Sequence, residues 1–305
     1  MRVFLTGATG YIGQVLTREL VAAGHEVTGL VRLPERAAVL EAAGGRPVVG
    51  DIKVPESYRA AAAESQVAIH TAQEYTPEGA AADRSVVDTL LALAAMRSGE
   101  GPRHLVYTSG IWVLGHTDDG PVFEDASAEH PAALVAWRAA HEKVVLTADS
   151  EEVAVAVVRP GIVYGGEGGG IPTDYFKSAE RDGAARFVGN GRNRVPFIHV
   201  EDLARFYRAV VERRGRGIFH AVDGAAIQLE DAARAASEAA GKGGAVRSVP
   251  LESARAKMGV RADALALDQF VQSGRNAELG WQPEVPSFLA GAERAYREWK
   301  QRASA

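Results

Sequence analysis

The sequence contains no cysteine, which excludes disulfides, thiol catalysis and cysteine metal sites. Its eight histidines show no ligand spacing, so no metal site is expected. Basic residues form no block. The 34 lysines and arginines are mixed with 39 aspartates and glutamates, for a net charge of −5, so neither nucleic-acid binding nor an acidic disordered tail is expected. No apolar run approaches the about 20 residues that cross a bilayer. The first core strand is reached by residue 3, which leaves no room for a signal peptide and points to a cytoplasmic protein without a membrane partner. There is no internal repeat and no long linker. No tyrosine occurs between Tyr107 and Tyr164.

What is present is ample apolar material, 47% of 305 residues, enough for a large core in one domain or two. The most informative stretch is Thr6-Gly-Ala-Thr-Gly-Tyr-Ile-Gly13. It follows a short apolar strand, Val3-Phe4-Leu5, and opens into Ile12, Val15, Leu16, Leu20 and Val21 at helical spacing. Gly7, Gly10 and Gly13 therefore stand where a strand turns into a helix. A dinucleotide needs them there for the tight turn, for close approach of backbone to a pyrophosphate, and for helix–strand packing. The helix N-terminus adds free N–H groups and partial positive charge. Thr9, Tyr11 and Ile12 share this loop and are cofactor candidates with the glycines.

Taken in order, a second strand over 25–31 ends at Arg32. The residue about 20 beyond the glycines distinguishes the cofactors, because a carboxylate holds the ribose 2′-OH and repels a 2′-phosphate. Arg32, with Arg36 a turn later, predicts NADP(H) over NAD(H), although an arginine at a strand end can also be merely solvated. A third strand over 47–50 delivers Asp51 and Ile52. Asp51 either accepts from the adenine amine or caps a turn, and Ile52 packs on the ring. A fourth over 67–71 delivers Thr71 and Ala72 to the same edge, with His70 read as a core histidine. A long helix over 80–97, a strand over 104–108, a helix over 131–148 and a β-branched strand over 153–158 complete six strands alternating with helices, a doubly wound parallel sheet. Further on, the glycine-rich 165–170 is a lid or a solvent loop. Helices over 201–213, 229–240 and 287–302 and a strand over 217–222 suggest a smaller lobe over the strand tips.

The glycine stretch, Asp51-Ile52, Tyr107-Thr-Ser109, Arg159-Pro-Gly-Ile-Val-Tyr-Gly165 and Phe197-Ile-His-Val-Glu-Asp202 occur in that order. Together, over residues 2 to about 300, they resemble the extended short-chain dehydrogenase/reductases, the NAD-dependent epimerase/dehydratase group. The resemblance implies a Rossmann-type domain over 1–165 with a return segment around 197–223, and a mainly substrate-binding α/β lobe over 166–305. It places Pro160 beside the cofactor. It also implies a homodimer that pairs the helices near 80–97 and 131–148.

The departures from that pattern bear on the chemistry. Family enzymes carry a tyrosine four residues before a lysine as acid/base and its partner. Aligning on Glu142-Lys-Val-Val-Leu146 puts Arg138 at the lysine position and Leu134 at the tyrosine position. Arg138 can hydrogen-bond a ribose or be a solvated helix residue, but a guanidinium does not relay protons. Ser109 stands one residue before the usual serine position, which Gly110 occupies. It polarises a substrate carbonyl or simply bonds backbone. Tyr164 is a candidate proton donor or a packing residue, and His141 is a weaker alternative. Ile162 and Val195 replace an asparagine and an arginine common in sugar-nucleotide enzymes, which favours a smaller or more apolar substrate lined by Trp112, Tyr75, Tyr175 or Phe176. The expected activity is an NADP(H)-dependent reductase of a carbonyl or activated double bond. The alternatives are a sugar-nucleotide epimerase or dehydratase and a non-catalytic NADP(H) sensor.

Overall fold

Apolar strands alternate with amphipathic helices through the first half of the chain, which the computed structural model describes over residues 1–96, 101–117, 120–166 and 170–303. β1 (Arg2–Thr6) leads to α1 (Tyr11–Ala22), β2 (Glu26–Val31) to α2 (Ala37–Ala42), β3 (Arg46–Val49) to α3 (Arg59–Ala63), and β4 (Val67–His70) to α4 (Gly79–Ala94). β5 (His104–Thr108), α5 (Ala136–Leu146) and β6 (Ala154–Pro160) follow. Then come β7 (Ile162–Tyr164), α6 (Pro172–Asp182), β8 (Ala185–Val188), β9 (Arg194–Val195) and β10 (Phe197–His199). α7 (Val200–Glu212), β11 (Gly217–Ala221), β12 (Ile227–Gln228), α8 (Leu229–Ala239) and β13 (Val246–Val249) precede α9 (Leu251–Met258), α10 (Arg261–Leu265), α11 (Asn276–Leu279) and α12 (Phe288–Ala303).

Among the described residues, seven strands form one parallel sheet in the order β3-β2-β1-β4-β5-β6-β11. Side chains alternate across it. Val3 and Leu5 face Leu16 and Leu20 of α1 and Leu203 and Phe206 of α7, whereas Phe4 on the other side packs with Val86 and Leu90 of α4 and with Val145 of α5. β6 is buried at every position, as its β-branched run requires of a strand covered on both faces. The strand order reverses between β1 and β4, and in such sheets the carboxyl-end crevice at that point is where ligands bind. α7 and β11 pack with the first 160 residues. A second core, with Phe176, Phe187, Leu229 and Phe288, joins α6, α8 and α12 around the β8–β13 pair.

Several elements differ from the sequence expectation. The helix expected over 131–148 is α5 alone, because Val135, the last residue of a 3-10 turn over Ala133–Val135, leaves helical geometry with φ −125° and ψ 16°. The helix expected over 80–97 ends at Ala94, and Arg97 lies outside the described residues, as do residues 167–169 of the glycine-rich segment. The strands β7, β8, β9, β10, β12 and β13 and the helices α2, α3, α6, α9, α10 and α11 have no counterpart in the sequence expectation. Strands of two to four residues carry too few positions to show a period. No helix of the described residues is long and apolar enough to cross a membrane.

Asp223, just past β11, gives the fold a measurable pH signature. It is 9% exposed. Its Oδ1 accepts from the Ala225 N–H at 2.9 Å, while Oδ2 has no partner among the described residues. Burial pushes the carboxyl up to about 7 from an ordinary 3.8. Between those two values the folded chain holds a proton that the unfolded chain has lost, so this group removes stability as pH rises and adds no further change above the folded value. Relative to Asp223→Asn, the native chain loses about 2–4 kcal/mol across that window. Thermal melts of both from pH 4 to 8 check this, and a difference that stays constant with pH contradicts it.

Candidate functional site

At the β1–α1 joint the backbone is shaped for something to approach it. Gly7 has φ +72°, and a Cβ there would stand 2.7 Å from the Ala72 nitrogen. A Cβ at Gly13 would collide with the Gly7 carbonyl oxygen and lie 2.8 Å from the Ala8 Cα. Gly10 is the N-cap of α1, brings no side-chain cap, and the first turn carries no acidic residue. The first N–H groups of a helix have no intrahelical partner. Here they are left to an external anion. Gly7, Thr9, Gly10, Tyr11, Ile12 and Gly13 all line a cleft of about 700 Å³ that runs along the strand tips, within the size range of small-molecule and cofactor sites. The residues present therefore fit a dinucleotide.

At the β2 end, Arg32, Leu33, Arg36 and Ile52 line the cleft, with Thr71, Ala72 and Glu74 from the β4 tip. Arg36 Nη2 donates to the Thr9 carbonyl at 3.0 Å, which ties it to the glycine turn. Arg32 Nη1 lies 2.6 Å from Glu74 Oε1, and Lys53 Nζ lies 2.6 Å from Glu74 Oε2. Asp51 is not among the lining residues. Its Oδ1 accepts from the Lys53 N–H at 2.9 Å, the turn-capping role the sequence offered for it.

At the β5 end, Thr108, Ser109, Ile111, Trp112, Leu134, Val135, Arg138, Pro160, Ile162 and Ile171 close the cleft. The Ser109 N–H donates to the Val158 carbonyl at 2.8 Å. Its hydroxyl is buried and has no partner among the described residues. A hydroxyl in that condition costs stability unless a ligand satisfies it.

Arg138 is buried, not solvated. Its Nη1 donates to the Thr108 carbonyl at 2.6 Å, and its guanidinium lies 4.4 Å over the Trp137 ring. Behind it sits Asp83 of α4, fully buried, which accepts from Tyr107 Oη at 2.9 Å, His141 Nδ1 at 2.7 Å and His70 Nε2 at 3.1 Å. It also pairs with Arg138 at 3.9 Å. Burial alone would raise the Asp83 carboxyl, but the hydrogen bonds from His141 and His70 outweigh it and hold the group well below the usual carboxylate range. His70 passes on to Thr6 Oγ1 at 2.6 Å, so one buried network reaches from the glycine turn to Arg138. His70 is thus the core histidine the sequence suggested, and His141 is spent on Asp83.

Tyr164 requires a correction as a proton donor. It points into the C-terminal lobe, its ring edge-on to Phe197, His199 and Phe288 and its hydroxyl donating to the Ser287 carbonyl at 3.2 Å. Burial raises its phenol far above the ordinary value, and it does not line the cleft. Of the aromatic residues considered for the substrate, Trp112 and Tyr75 line the cleft, whereas Tyr175 and Phe176 lie in the lobe core. Sequence reasoning missed Glu74, Lys53 and Asp83. Asp83 alone had a local signal, an acid on the same face of α4 as the apolar Val86 and Val87.

Residues 3–220 match the NAD dependent epimerase/dehydratase family. An uncharacterized protein of Schizosaccharomyces pombe is 31% identical over 301 residues, covering 95% of this chain and 97% of that protein. A 4-hydroxy-2-methyl-3-oxo-4-farnesyl-3,4-dihydroquinoline-1-oxide ketoreductase of Stigmatella aurantiaca is 29% identical over 266 residues, covering 84% and 78%. Among solved structures, the human epimerase family protein SDR39U1 with NADPH superposes with a TM-score of 0.79 at 22% identity, covering 97% of this chain and 99% of that one. The protein belongs to the NAD-dependent epimerase/dehydratase family, a group of the extended short-chain dehydrogenase/reductases.

Proposed function

We propose that the protein is an NADP(H)-dependent reductase of a small or apolar carbonyl compound, or of an activated double bond, working without the usual tyrosine–lysine pair. The observation that carries this reading is the unpartnered Ser109 hydroxyl in a cleft end where Ile111, Leu134, Val135, Ile162 and Ile171 supply an apolar surface beside Trp112, Thr108 and Arg138. Such a wall suits an apolar substrate and presents the free Ser109 hydroxyl to its oxygen. The Stigmatella relative's name, a ketoreductase, supports the carbonyl class, and Arg32 and Arg36 at the β2 end support the phosphorylated cofactor.

A bound nicotinamide cofactor supplies the hydride. Ser109 Oγ–H donates to the acceptor oxygen and stabilises the charge that develops there. Arg138, fixed by the Thr108 carbonyl and Asp83, is placed to hold ribose hydroxyls. Being a guanidinium, it moves no proton, and solvent entering the open cleft provides it. The sugar-nucleotide alternative lacks support at the late motif, where Arg194 is committed to Asp268 at 2.6 Å.

Following NADPH absorbance with a panel of apolar ketones and aldehydes tests the reading. Turnover of at least one, with Ser109→Ala lowering kcat about 100-fold at little cost in NADPH affinity, is the expected result. NADPH binding with no turnover of any of them overturns the reading and leaves the non-catalytic alternative.

A further inference from the structure

The Glu74 carboxylate is an anomaly at a site read as holding a phosphate. Its side chain is 8% exposed, while those of its two cationic partners, Arg32 and Lys53, are 60% and 43% exposed. The acid is therefore fixed in the wall, and the cations project outward from it. Glu74 lines the cleft together with Arg32 and Arg36, and Asp51 and Glu78 add further negative charge facing Lys53. A short-chain reductase that discriminated absolutely for a 2′-phosphate would gain from an uncompensated pair of cations here. One that discriminated absolutely for a 2′-hydroxyl would gain from a carboxylate without them. This chain carries both, 21 and 42 residues apart in sequence, joined through a single side chain.

We infer that Glu74 sets the balance between NADPH and NADH, and that Lys53 is a second cation for the 2′-phosphate. The inference rests on the reading that the Arg32 end of the cleft holds the adenosine ribose. With NADPH, the phosphate competes with Glu74 for Arg32 and Lys53 and is repelled by it. With NADH, the carboxylate accepts from the free 2′-hydroxyl, the task a β2-end carboxylate performs in NAD enzymes. Removing the charge has two opposed effects. Freeing two long side chains weakens phosphate binding about two- to threefold through lost rotamer order. Abolishing the repulsion between the carboxylate and a nearby dianion at a half-exposed site strengthens it by more, about 20-fold. The second effect wins.

Fluorescence titrations of the wild-type protein, Glu74→Gln and Lys53→Met with NADPH and with NADH decide the matter, alongside melting temperatures showing that each variant is folded. Glu74→Gln is expected to raise the NADPH:NADH affinity ratio about tenfold, and Lys53→Met to weaken NADPH about fivefold while sparing NADH. A folded Glu74→Gln protein whose ratio is unchanged or lower overturns the role given to Glu74. A Lys53→Met protein with wild-type NADPH affinity overturns that given to Lys53. Both results leave the cofactor assignment intact, whereas a wild-type protein that binds neither nucleotide removes the assignment and this inference together.

Discussion

Gly13→Ala abolishes useful nucleotide binding. The added Cβ would occupy the position of the Gly7 carbonyl oxygen and press on Ala8 Cα at 2.8 Å, and neither is the flexible end of a side chain. Gly7 cannot retreat toward β4, since its own Cα already stands so close to Ala72 that a Cβ there would be 2.7 Å from the Ala72 nitrogen. The turn must therefore shift outward into the space the pyrophosphate needs, and α1 tilts away from its N–H groups' target. Losing two hydrogen bonds to a charged group costs about 4 kcal/mol, about 1,000-fold in affinity. Overpacking costs the fold itself only about 1–3 kcal/mol. Calorimetric titration with NADPH on a variant shown to be folded by circular dichroism checks the expectation, and a loss of less than tenfold contradicts the placement of the pyrophosphate at this turn.

Arg159→Met destabilises the protein by about 4 kcal/mol, because it leaves a carboxylate buried without a cation. Arg159 on β6 and Glu142 on α5 are each 2% exposed. Arg159 Nη2 meets Glu142 Oε2 at 2.6 Å, and Nε lies 3.1 and 3.3 Å from the two carboxylate oxygens. The remaining Nη1 donates to His220 Nε2 at 3.4 Å, and His220 in turn donates from Nδ1 to the Gln272 carbonyl at 3.0 Å. Burial, reinforced by the Arg159 charge, lowers the His220 imidazole below its ordinary value and keeps it neutral as an acceptor. The arginine of the Arg159-Pro-Gly stretch therefore fastens α5 to the sheet and, through α5, holds Arg138 at the cleft. Urea unfolding measures the loss. The double variant Arg159→Met, Glu142→Leu recovers most of it, since an apolar pair replaces a buried ion pair at little net cost. A single-variant loss under about 1 kcal/mol contradicts the view that the pair is sealed from water.

The sheet and the glycine turn were legible because their signals are local. Apolar runs, helical spacing and glycines at a strand–helix joint each lie within one short window. Where side chains point at the strand tips was not, because pairing decides it. Tyr164 sits in β7 opposite His199 of β10, and that register turns it toward Phe197 and Phe288 and away from the cleft. Asp51 reads equally well in the sequence as an adenine acceptor or a turn cap, and the structure shows the Lys53 N–H bonded to it. Asp83 and Glu74 act on partners far off in sequence. His141 lies 58 residues from Asp83, and Arg32 lies 42 from Glu74. A lone acid on a helix face, or after a strand, does not announce such partners. The C-terminal lobe was legible only in α8 and α12, because its strands are two to four residues long and its other helices carry no clear apolar period.

The most direct test of the account is a pair of titrations of the purified wild-type protein, one with NADPH and one with NADH, read by nicotinamide fluorescence. The glycine turn, the capless N-terminus of α1 and the Arg32–Arg36–Lys53 cations predict saturable binding of both, with NADPH the tighter. Binding of neither nucleotide would contradict the account at its root.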